Sequence, residues 1–240
     1  MEGSPERSWR GPGNKARGPG HPHLASVVGM SRLSPMPEPL QTPVLAGGVV
    51  TLRPHTMADL RPVLERCLDP ESVRWTTVPT GYTEDMARDY LEKIIEPSAE
   101  QISWAIEADG QYAGTIDLRS GGGEGEHASG DVGYVTHPRF RGRGIMTAAV
   151  TLAVDHAFDV LGWELLVWQA TIGNVASYKP MWRNGFPRPL SVPALLNHRG
   201  VMRDGWHSVL EPGMPREPQG RWEDVSAALL RDVEQARRPG

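Results

Sequence analysis

Residues 131–146 read Asp-Val-Gly-Tyr-Val-Thr-His-Pro-Arg-Phe-Arg-Gly-Arg-Gly-Ile-Met, and this segment is the most informative part of the sequence. A strand opens it, Pro138 ends that strand, and a helix begins after a turn rich in glycine and arginine. In such a strand–turn–helix unit, Gly142 and Gly144 let the backbone approach a ligand that the amides at the helix N-terminus face. The unit is a candidate cradle for a diphosphate.

Two familiar phosphate-binding motifs do not fit this turn. No Gly-Lys-Ser/Thr follows it, as a P-loop requires, and its glycine spacing is not that of the dinucleotide-binding fingerprint. Arg139, Arg141 and Arg143 add positive charge for phosphate oxygens. From residues 139–144 alone, an arginine-rich turn whose glycines serve only backbone geometry is an equally good interpretation.

The rest of the chain predicts helices among mostly antiparallel strands, which indicates an α+β domain. Before the turn, the predicted elements are strand 49–53, a helix capped near Thr56, a helix from Thr83 to Pro97, strands 102–108 and 112–118 joined at Asp109-Gly110, and a glycine-rich loop at 120–130. After the turn, they are helix 144–160 ended by Gly162, strand 164–171, a short helix within 174–183, strands 192–196 and 201–210, and a terminal helix within 221–238.

Length and composition set the domain organisation. A chain of 240 residues, 39% of them hydrophobic, can bury one sizeable core. Residues 1–43 have prolines and glycines without any apolar period, so we expect a disordered tail, followed by a folded domain at 44–212 and an extension with a helix at 213–240.

Charge and cysteine content narrow the function classes. The net charge of −4 gives no basic field for nucleic acid, and no apolar run reaches membrane-spanning length. The single cysteine, Cys67, lies in an apolar helical pattern, where a buried side chain is the commoner outcome. These features predict a cytoplasmic protein, either a monomer or a homodimer, with neither nucleic acid nor membrane as partner.

Two segments together resemble the acetyl-CoA-binding parts of the GNAT acetyltransferase superfamily. They are Gly133-Tyr134-Val135-Thr136-His137-Pro138 with the turn after it, and Asn174-x-x-Ser177 followed by Gly185-Phe186. The similarity covers residues 44–210 and is closest to ribosomal-protein-alanine N-acetyltransferases, including Arg199-Gly200 and Arg203-Asp204-Gly205 before a terminal strand. It implies a mixed, mostly antiparallel sheet flanked by helices, with strands splayed around the cofactor.

The resemblance implies acetyl-CoA as cosubstrate and direct attack on the thioester, for which no metal is expected. The strand that holds Val135 and Thr136 would pair with the pantetheine arm, and the turn would supply amides to the pyrophosphate. The residues expected to bind the cofactor are Val135, Thr136, Arg139, Arg141, Gly142, Arg143, Gly144, Ile145, Met146 and Asn174. An asparagine at position 174 could instead only cap the helix that follows it.

Amide formation needs a neutral amine, whereas an α-amino group titrates at about 7.7 to 8.0, so a base or a desolvating pocket must remove a proton. Asp131 stands where the family often carries a carboxylate and is the first candidate base. Glu126 and His127 border the same region and are the alternatives. Asp131 could also be no more than the exposed first residue of a strand.

The general acid that many family members carry, a tyrosine in the last helix, is replaced here by Met181. In the ribosomal branch a serine stands where Ser177 does, so Ser177 is the expected donor to the leaving sulfur and Tyr178 the alternative. Ser177 could also be only a helix-start residue. Pro180 leaves the aim of Ser177 open, because a proline inside a helix removes a hydrogen bond and can kink it.

Three aromatic residues are candidates for the acceptor pocket: Trp75, Tyr82 and Trp104. Aromatic side chains more often pack in a core. The leading hypothesis is acetyl transfer to a primary amine, either a protein N-terminus or a small molecule, by direct attack on the thioester. A catalytically silent acyl-CoA-binding or regulatory module is the alternative, and an interaction protein that works through its tail is a third and weaker hypothesis.

Overall fold

The computed structural model describes residues 41–122 and 128–236. The expected tail therefore lies outside the described residues except for its last three positions. The alternative bases Glu126 and His127 lie outside them as well.

The described chain forms eight strands and six helices. The strands are β1 Leu45–Gly47, β2 Val50–Pro54, β3 Gln101–Ala108, β4 Gln111–Gly122, β5 Ser129–Thr136, β6 Leu165–Thr171, β7 Leu190–His198 and β8 Val201–Leu210. The helices are α1 Leu60–Leu68, α2 Pro70–Trp75, α3 Glu84–Ile95, α4 Ile145–Asp155, α5 Val175–Arg183 and α6 Trp222–Ala236. This is the predicted α+β class, with the predicted mostly antiparallel sheet.

Local capping chemistry explains where several helices begin. The backbone N–H of Thr56 donates to Asp59 at 2.9 Å, at the start of the turn that leads into α1. The Thr83 hydroxyl accepts from the N–H of Met86 at the start of α3, as an N-cap threonine does. Helix α2 was not predicted; it begins with Pro70 after the N-cap Asp69.

The strands form one sheet in the order β1-β2-β3-β4-β5-β6-β8-β7. Every neighbouring pair is antiparallel except β5 and β6, which are parallel. Strands β3 and β4 form the predicted hairpin, in which Asp109 and Gly110 both have positive φ angles, 52° and 69°. That geometry matches a two-residue hairpin turn of the kind that Asp-Gly favours.

The helices cover both faces of the sheet. Trp104 and Ile106 of β3 face the larger core together with residues of α4, α5 and α6. Ala105, between them in sequence, faces a smaller core with α1 and α3. Cys67 is 2% exposed in that smaller core, which confirms the prediction that it is buried.

The C-terminal helix α6 is docked on the domain. Leu229 of α6 is fully buried, and the Trp222 ring lies against the rings of Tyr178 and Trp182 on α5. The long helix expected at 144–160 instead changes after Asp155 into a wider π turn, His156–Val160. Gly162 follows it with φ 65°, the left-handed geometry expected of a helix end.

Candidate active site

The glycine-rich turn has the geometry that the sequence predicts. Gly142 and Gly144 have φ angles of 75° and 78°, which L-residues rarely adopt, and Gly144 is the N-cap of α4. A Cβ atom built on either glycine would meet no atom within 4 Å. The turn therefore leaves open space above the first amides of α4, where an anion is favoured by the unpaired N–H groups and the helix dipole.

Strands β5 and β6 separate immediately upstream of this turn. Their parallel pairing covers only Ser129 to Asp131 on β5, opposite Leu165 to Val167 on β6. Beyond Asp131, β5 continues to pair with β4, and β6 continues to pair with β8. The edge of β5 from Val132 onward therefore faces a gap between the two strands, which is the predicted splay.

A cavity of about 380 Å³ lies at this splay, within the usual range for ligand pockets. Its walls are β5, the glycine turn, the first turn of α4, α5 and α2. Of the expected cofactor-binding residues, it is lined by Val135, Thr136, Arg141, Gly142, Gly144, Ile145, Met146 and Asn174; Ser177 and Trp75 also line it. The structure thus brings together residues that are more than one hundred positions apart in the chain.

The arginines of the turn are paired with carboxylates that are distant in the chain. Arg139 donates to Glu65 at 2.6 Å and Arg143 donates to Asp109 at 2.6 Å, and neither arginine lines the cavity. Arg141 does line it, and donates to Asp69 and, at 3.0 Å, to the hydroxyl of Ser72.

Helix α5 presents Asn174 and Ser177 to the cavity. Asn174 is the N-cap of α5, and its side-chain oxygen accepts from the N–H of Ser177 at 3.3 Å. The helix runs through Pro180 to Arg183, so the proline does not end it. Tyr178, the alternative acid, is wrongly placed for that role, because it is fully buried and its hydroxyl donates to the carbonyl of Phe186 at 3.0 Å.

Tyr134 of β5 is a site residue that the sequence reasoning did not single out for chemistry. It lines the cavity, its hydroxyl donates to the carbonyl of Ser177, and the Ser177 hydroxyl lies 3.3 Å from the same phenolic oxygen. Burial raises the pKa of Tyr134 above its usual range, and contacts with Ser177 and Trp168 oppose that rise. The phenol is therefore protonated at neutral pH.

Asp131 lies on the opposite face of β5 from Tyr134. The regular register pairs Asp131 with Arg119 and Tyr134 with Ile116, and residues an odd number apart on a strand point to opposite faces. Arg119 donates to the Asp131 carboxylate, with its Nε 2.9 Å from Oδ1. Gly133 leaves room for this arginine, because a Cβ there would lie 2.7 Å from its guanidinium.

The three aromatic candidates for the acceptor pocket occupy different places. Trp75 lines the cavity and its indole N–H donates to Glu71 at 2.9 Å. Tyr82 lies at the smaller core and donates to the carbonyl of Met86 at 3.2 Å. Trp104 is fully buried in the larger core, where its indole N–H donates to the carbonyl of Pro43 at 2.8 Å. Only Trp75 faces the cavity.

The segment that follows Trp75 is held by the hairpin between β7 and β8. His198 lies 2.9 Å from the carbonyl of Thr76, and the Arg199 guanidinium donates to the carbonyls of Val73 and Val78. This hairpin thereby fixes one wall of the cavity, through contacts more than one hundred positions apart in the chain.

Two cations on α5 line the cavity and were missed by the sequence reasoning: Lys179, which lies over the ring of Trp222, and Arg183. Their spacing of four, on the same helix as Asn174, was the available signal. Within residues 41–122 and 128–236, no cluster of three or more metal-ligating side chains is present. In the same part of the chain, no helix is both long enough and apolar enough to cross a membrane.

Comparison with known proteins gives a consistent result. A family model described as an acetyltransferase (GNAT) domain matches residues 50–187. A provisionally assigned acetyltransferase from T. thermophilus is 27% identical, over 79% of this chain and 96% of its own, with a TM-score of 0.61. No curated protein is similar enough in sequence to count as a relative.

Two structures solved with bound ligands share the fold at lower identity. Mycobacterium smegmatis RimJ, in complex with CoA-disulfide, is 21% identical over 79% of this chain and 90% of its own, with a TM-score of 0.60. The microcin C7 self-immunity acetyltransferase MccE, in complex with acetyl-CoA and AMP, is 15% identical over 69% of this chain and 93% of its own, with a TM-score of 0.61.

Proposed function

The chain belongs to the GNAT acetyltransferase family, an acyl-CoA-dependent family of N-acetyltransferases, and we propose that it transfers the acetyl group of acetyl-CoA to a primary amine by direct attack. The observation that carries this proposal is the cavity at the splay of β5 and β6. It joins an anion cradle at the start of α4 to an open strand edge and to two hydroxyl groups.

The proposed cofactor path follows the order of the lining residues. The amides that follow Gly142 and Gly144 would hold the pyrophosphate, with Arg141 as a side-chain donor. Val135 and Thr136 lie on the open edge of β5 and would pair with the amide groups of pantetheine. Since the gap between the strands closes at Asp131, the thioester would lie at that end, beside the hydroxyls of Tyr134 and Ser177.

The acceptor amine would reach the thioester from the other face of the sheet. The register places Gln169 of β6 on the same face as Asp131, and Gln169 lies 3.1 Å from the ring of His207 on β8. These polar side chains could form hydrogen bonds with an amine. We propose Asp131 as the base; its carboxylate forms an ion pair with Arg119.

Of the three aromatic residues that the sequence suggested for the acceptor site, one is kept in the proposal and two are left out. Trp75 is retained because it lines the cavity. Trp104 is left out because it lies wholly within the larger core, and Tyr82 because its ring packs at the smaller core. The acceptor itself is proposed only as a primary amine, either a protein N-terminus or a small molecule.

The test has two parts. Isothermal calorimetry with acetyl-CoA measures binding, and release of free CoA thiol over a panel of N-terminal peptides and small amines measures transfer. Acetyl-CoA binding with thiol release that depends on an amine supports the proposal. Binding without turnover on any amine would support the catalytically silent module instead, and absence of binding would exclude both.

A further inference from the structure

The cavity is lined by a phenol hydroxyl, that of Tyr134, which the sequence-based assignment did not use. Ser177 was expected to protonate the leaving sulfur, yet its hydroxyl lies 3.3 Å from the phenolic oxygen of Tyr134. Tyr134 in turn donates to the carbonyl of Ser177. Within the described residues, Tyr134 is the tyrosine that lines the cavity.

We propose that Tyr134 is the catalytic acid that protonates the departing thiolate of CoA, and that Ser177 is a positioning residue that supports it. This rests on the proposed function. The position of Tyr134 on β5 puts it beside the gap between β5 and β6. It directly precedes Val135 and lies two residues beyond Val132, where pairing with β6 has ended. Its side chain is on the cavity face, opposite to Asp131.

Acidity favours the phenol over the serine hydroxyl. A tyrosine has a pKa of about 10 in water, whereas an aliphatic hydroxyl is a far weaker acid, comparable with water at about 15.7. Burial raises the pKa of Tyr134, so its phenol is protonated at neutral pH. It is therefore available as a donor whenever the thioester is cleaved.

The contacts of Tyr134 suit a donor that must lose and regain its proton. Its O–H can turn from the carbonyl of Ser177 to a sulfur atom in the cavity, which exchanges one hydrogen bond for another. The hydroxyl of Ser177 can then donate to the phenolic oxygen and stabilise the negative charge left there. Ser177 thus acts through Tyr134.

The step balances in atoms and electrons. The amine nitrogen forms a bond to the acetyl carbon, the carbon–sulfur bond breaks, and the electron pair goes to sulfur. The sulfur takes the phenolic proton and leaves as CoA thiol. The amine releases one proton to a base or to solvent, and one proton from solvent restores the phenol.

The first experiment needs no acceptor and uses CoA itself as the probe. The ultraviolet absorbance of the thiolate, followed from pH 6 to 10, gives the pKa of the CoA thiol bound to wild type, Tyr134→Phe, Ser177→Ala and Tyr178→Phe. Because a donor to the thiolate favours the charged form, the bound thiol should have a pKa higher by about one unit in Tyr134→Phe than in wild type. Tyr178→Phe is the matched control, since it removes a buried hydroxyl outside the cavity.

The second experiment measures turnover with any amine accepted in the panel. Tyr134→Phe should lower kcat about 100-fold while the Kd for acetyl-CoA changes less than about threefold, and Ser177→Ala should lower kcat less than about tenfold. An equal pKa of the bound thiol in wild type and Tyr134→Phe would overturn the proposal. A larger loss of kcat in Ser177→Ala than in Tyr134→Phe would overturn it as well.

Thermal melting checks that each variant is folded. If Tyr134→Phe does not fold, 3-fluorotyrosine at position 134 serves instead: its more acidic phenol should lower the pKa of the bound thiol, and an unchanged value would overturn the proposal. A wild-type protein that does not bind CoA would refute the proposed function itself, whereas CoA binding with no effect of Tyr134 refutes only this inference.

Discussion

Replacement of Gly144 by alanine should separate the anion-binding role of the turn from its role in the backbone. Gly144 has φ 78°, has open space where a Cβ would lie, and lines the cavity. An L-residue in this conformation costs roughly 1–2 kcal/mol in stability, so Gly144→Ala should melt lower than wild type. The same loss of stability is expected when alanine replaces any glycine with this backbone geometry, so such a glycine outside the cavity can serve as a control.

Gly213 supplies that control. It has φ 86°, a Cβ built there would also meet nothing within 4 Å, and it does not line the cavity. Gly213→Ala should therefore lose a similar amount of stability. Only Gly144→Ala should lose affinity for acetyl-CoA, because its methyl group stands where phosphate oxygens would approach the amides of α4.

The expected loss of affinity follows from the hydrogen bonds at risk. A hydrogen bond to a charged group contributes about 1.5–3 kcal/mol, so displacement of one phosphate contact should raise the Kd about 10- to 100-fold. Calorimetry with acetyl-CoA, performed on both variants at a temperature well below their melting points, measures this difference. Equal affinities for acetyl-CoA in Gly144→Ala and Gly213→Ala would refute the cradle.

Three further predictions concern charged and titratable groups. Asp69→Asn keeps a side-chain oxygen for the α2 N-cap but removes the partner charge of Arg141, so calorimetry should show acetyl-CoA affinity raised by up to about fivefold; lower affinity would contradict it. Asp131→Asn should lower kcat at pH 7 with recovery toward pH 9, where the amine loses its proton unaided; an unchanged pH–rate profile would remove Asp131 as the base. Burial lowers the pKa of His55 from 6.5 to about 4, so the unfolded chain binds this proton first and the free energy of unfolding falls as the pH drops from 6.5 to 4. In urea unfolding across this range, wild type should lose about 3 kcal/mol more than His55→Gln.

Local signals in the sequence were sufficient to predict turns and helix starts, because these features depend on residues that are neighbours in the chain. Asp109-Gly110 makes the hairpin because both residues adopt positive φ, and Thr83 and Asn174 cap the helices that follow them. Each of these features is decided within about four residues. The glycine turn belongs to the same class, since the φ angles of its glycines are properties of the turn itself.

Contacts between distant segments could not be predicted in the same way. Arg141 meets Asp69, 72 positions earlier, and Tyr134 meets Ser177, 43 positions later. The residues next to an arginine in a turn do not indicate whether its side chain will bind a phosphate or form an ion pair with a distant carboxylate. Trp104 shows the same limit, because strand alternation alone does not reveal which face borders the core and which borders a cleft.

Helix α2 was missed for a different reason. With six residues it is too short to show an apolar period, although Asp69 followed by Pro70 is a combination typical of a helix start. The omission matters because α2 supplies Trp75 to the cavity wall and Asp69 to Arg141. A capping signal can therefore mark the start of a helix even where no apolar period follows it.

Pro180 shows how α5 connects the two ends of the cavity. A proline cannot donate to the carbonyl four residues earlier, so the Ala176 carbonyl on the cavity wall loses its usual partner. The helix continues because Asn184 holds its later half: the Asn184 amide donates to the Pro180 carbonyl at 2.9 Å and to the Thr147 carbonyl on α4 at 3.2 Å. The earlier half is held by the Tyr134 hydroxyl at Ser177. Helix α5 is therefore anchored both to α4, which follows the glycine turn, and to the proposed acid Tyr134. These two anchors hold the proposed pyrophosphate site and the proposed thioester site at a fixed separation.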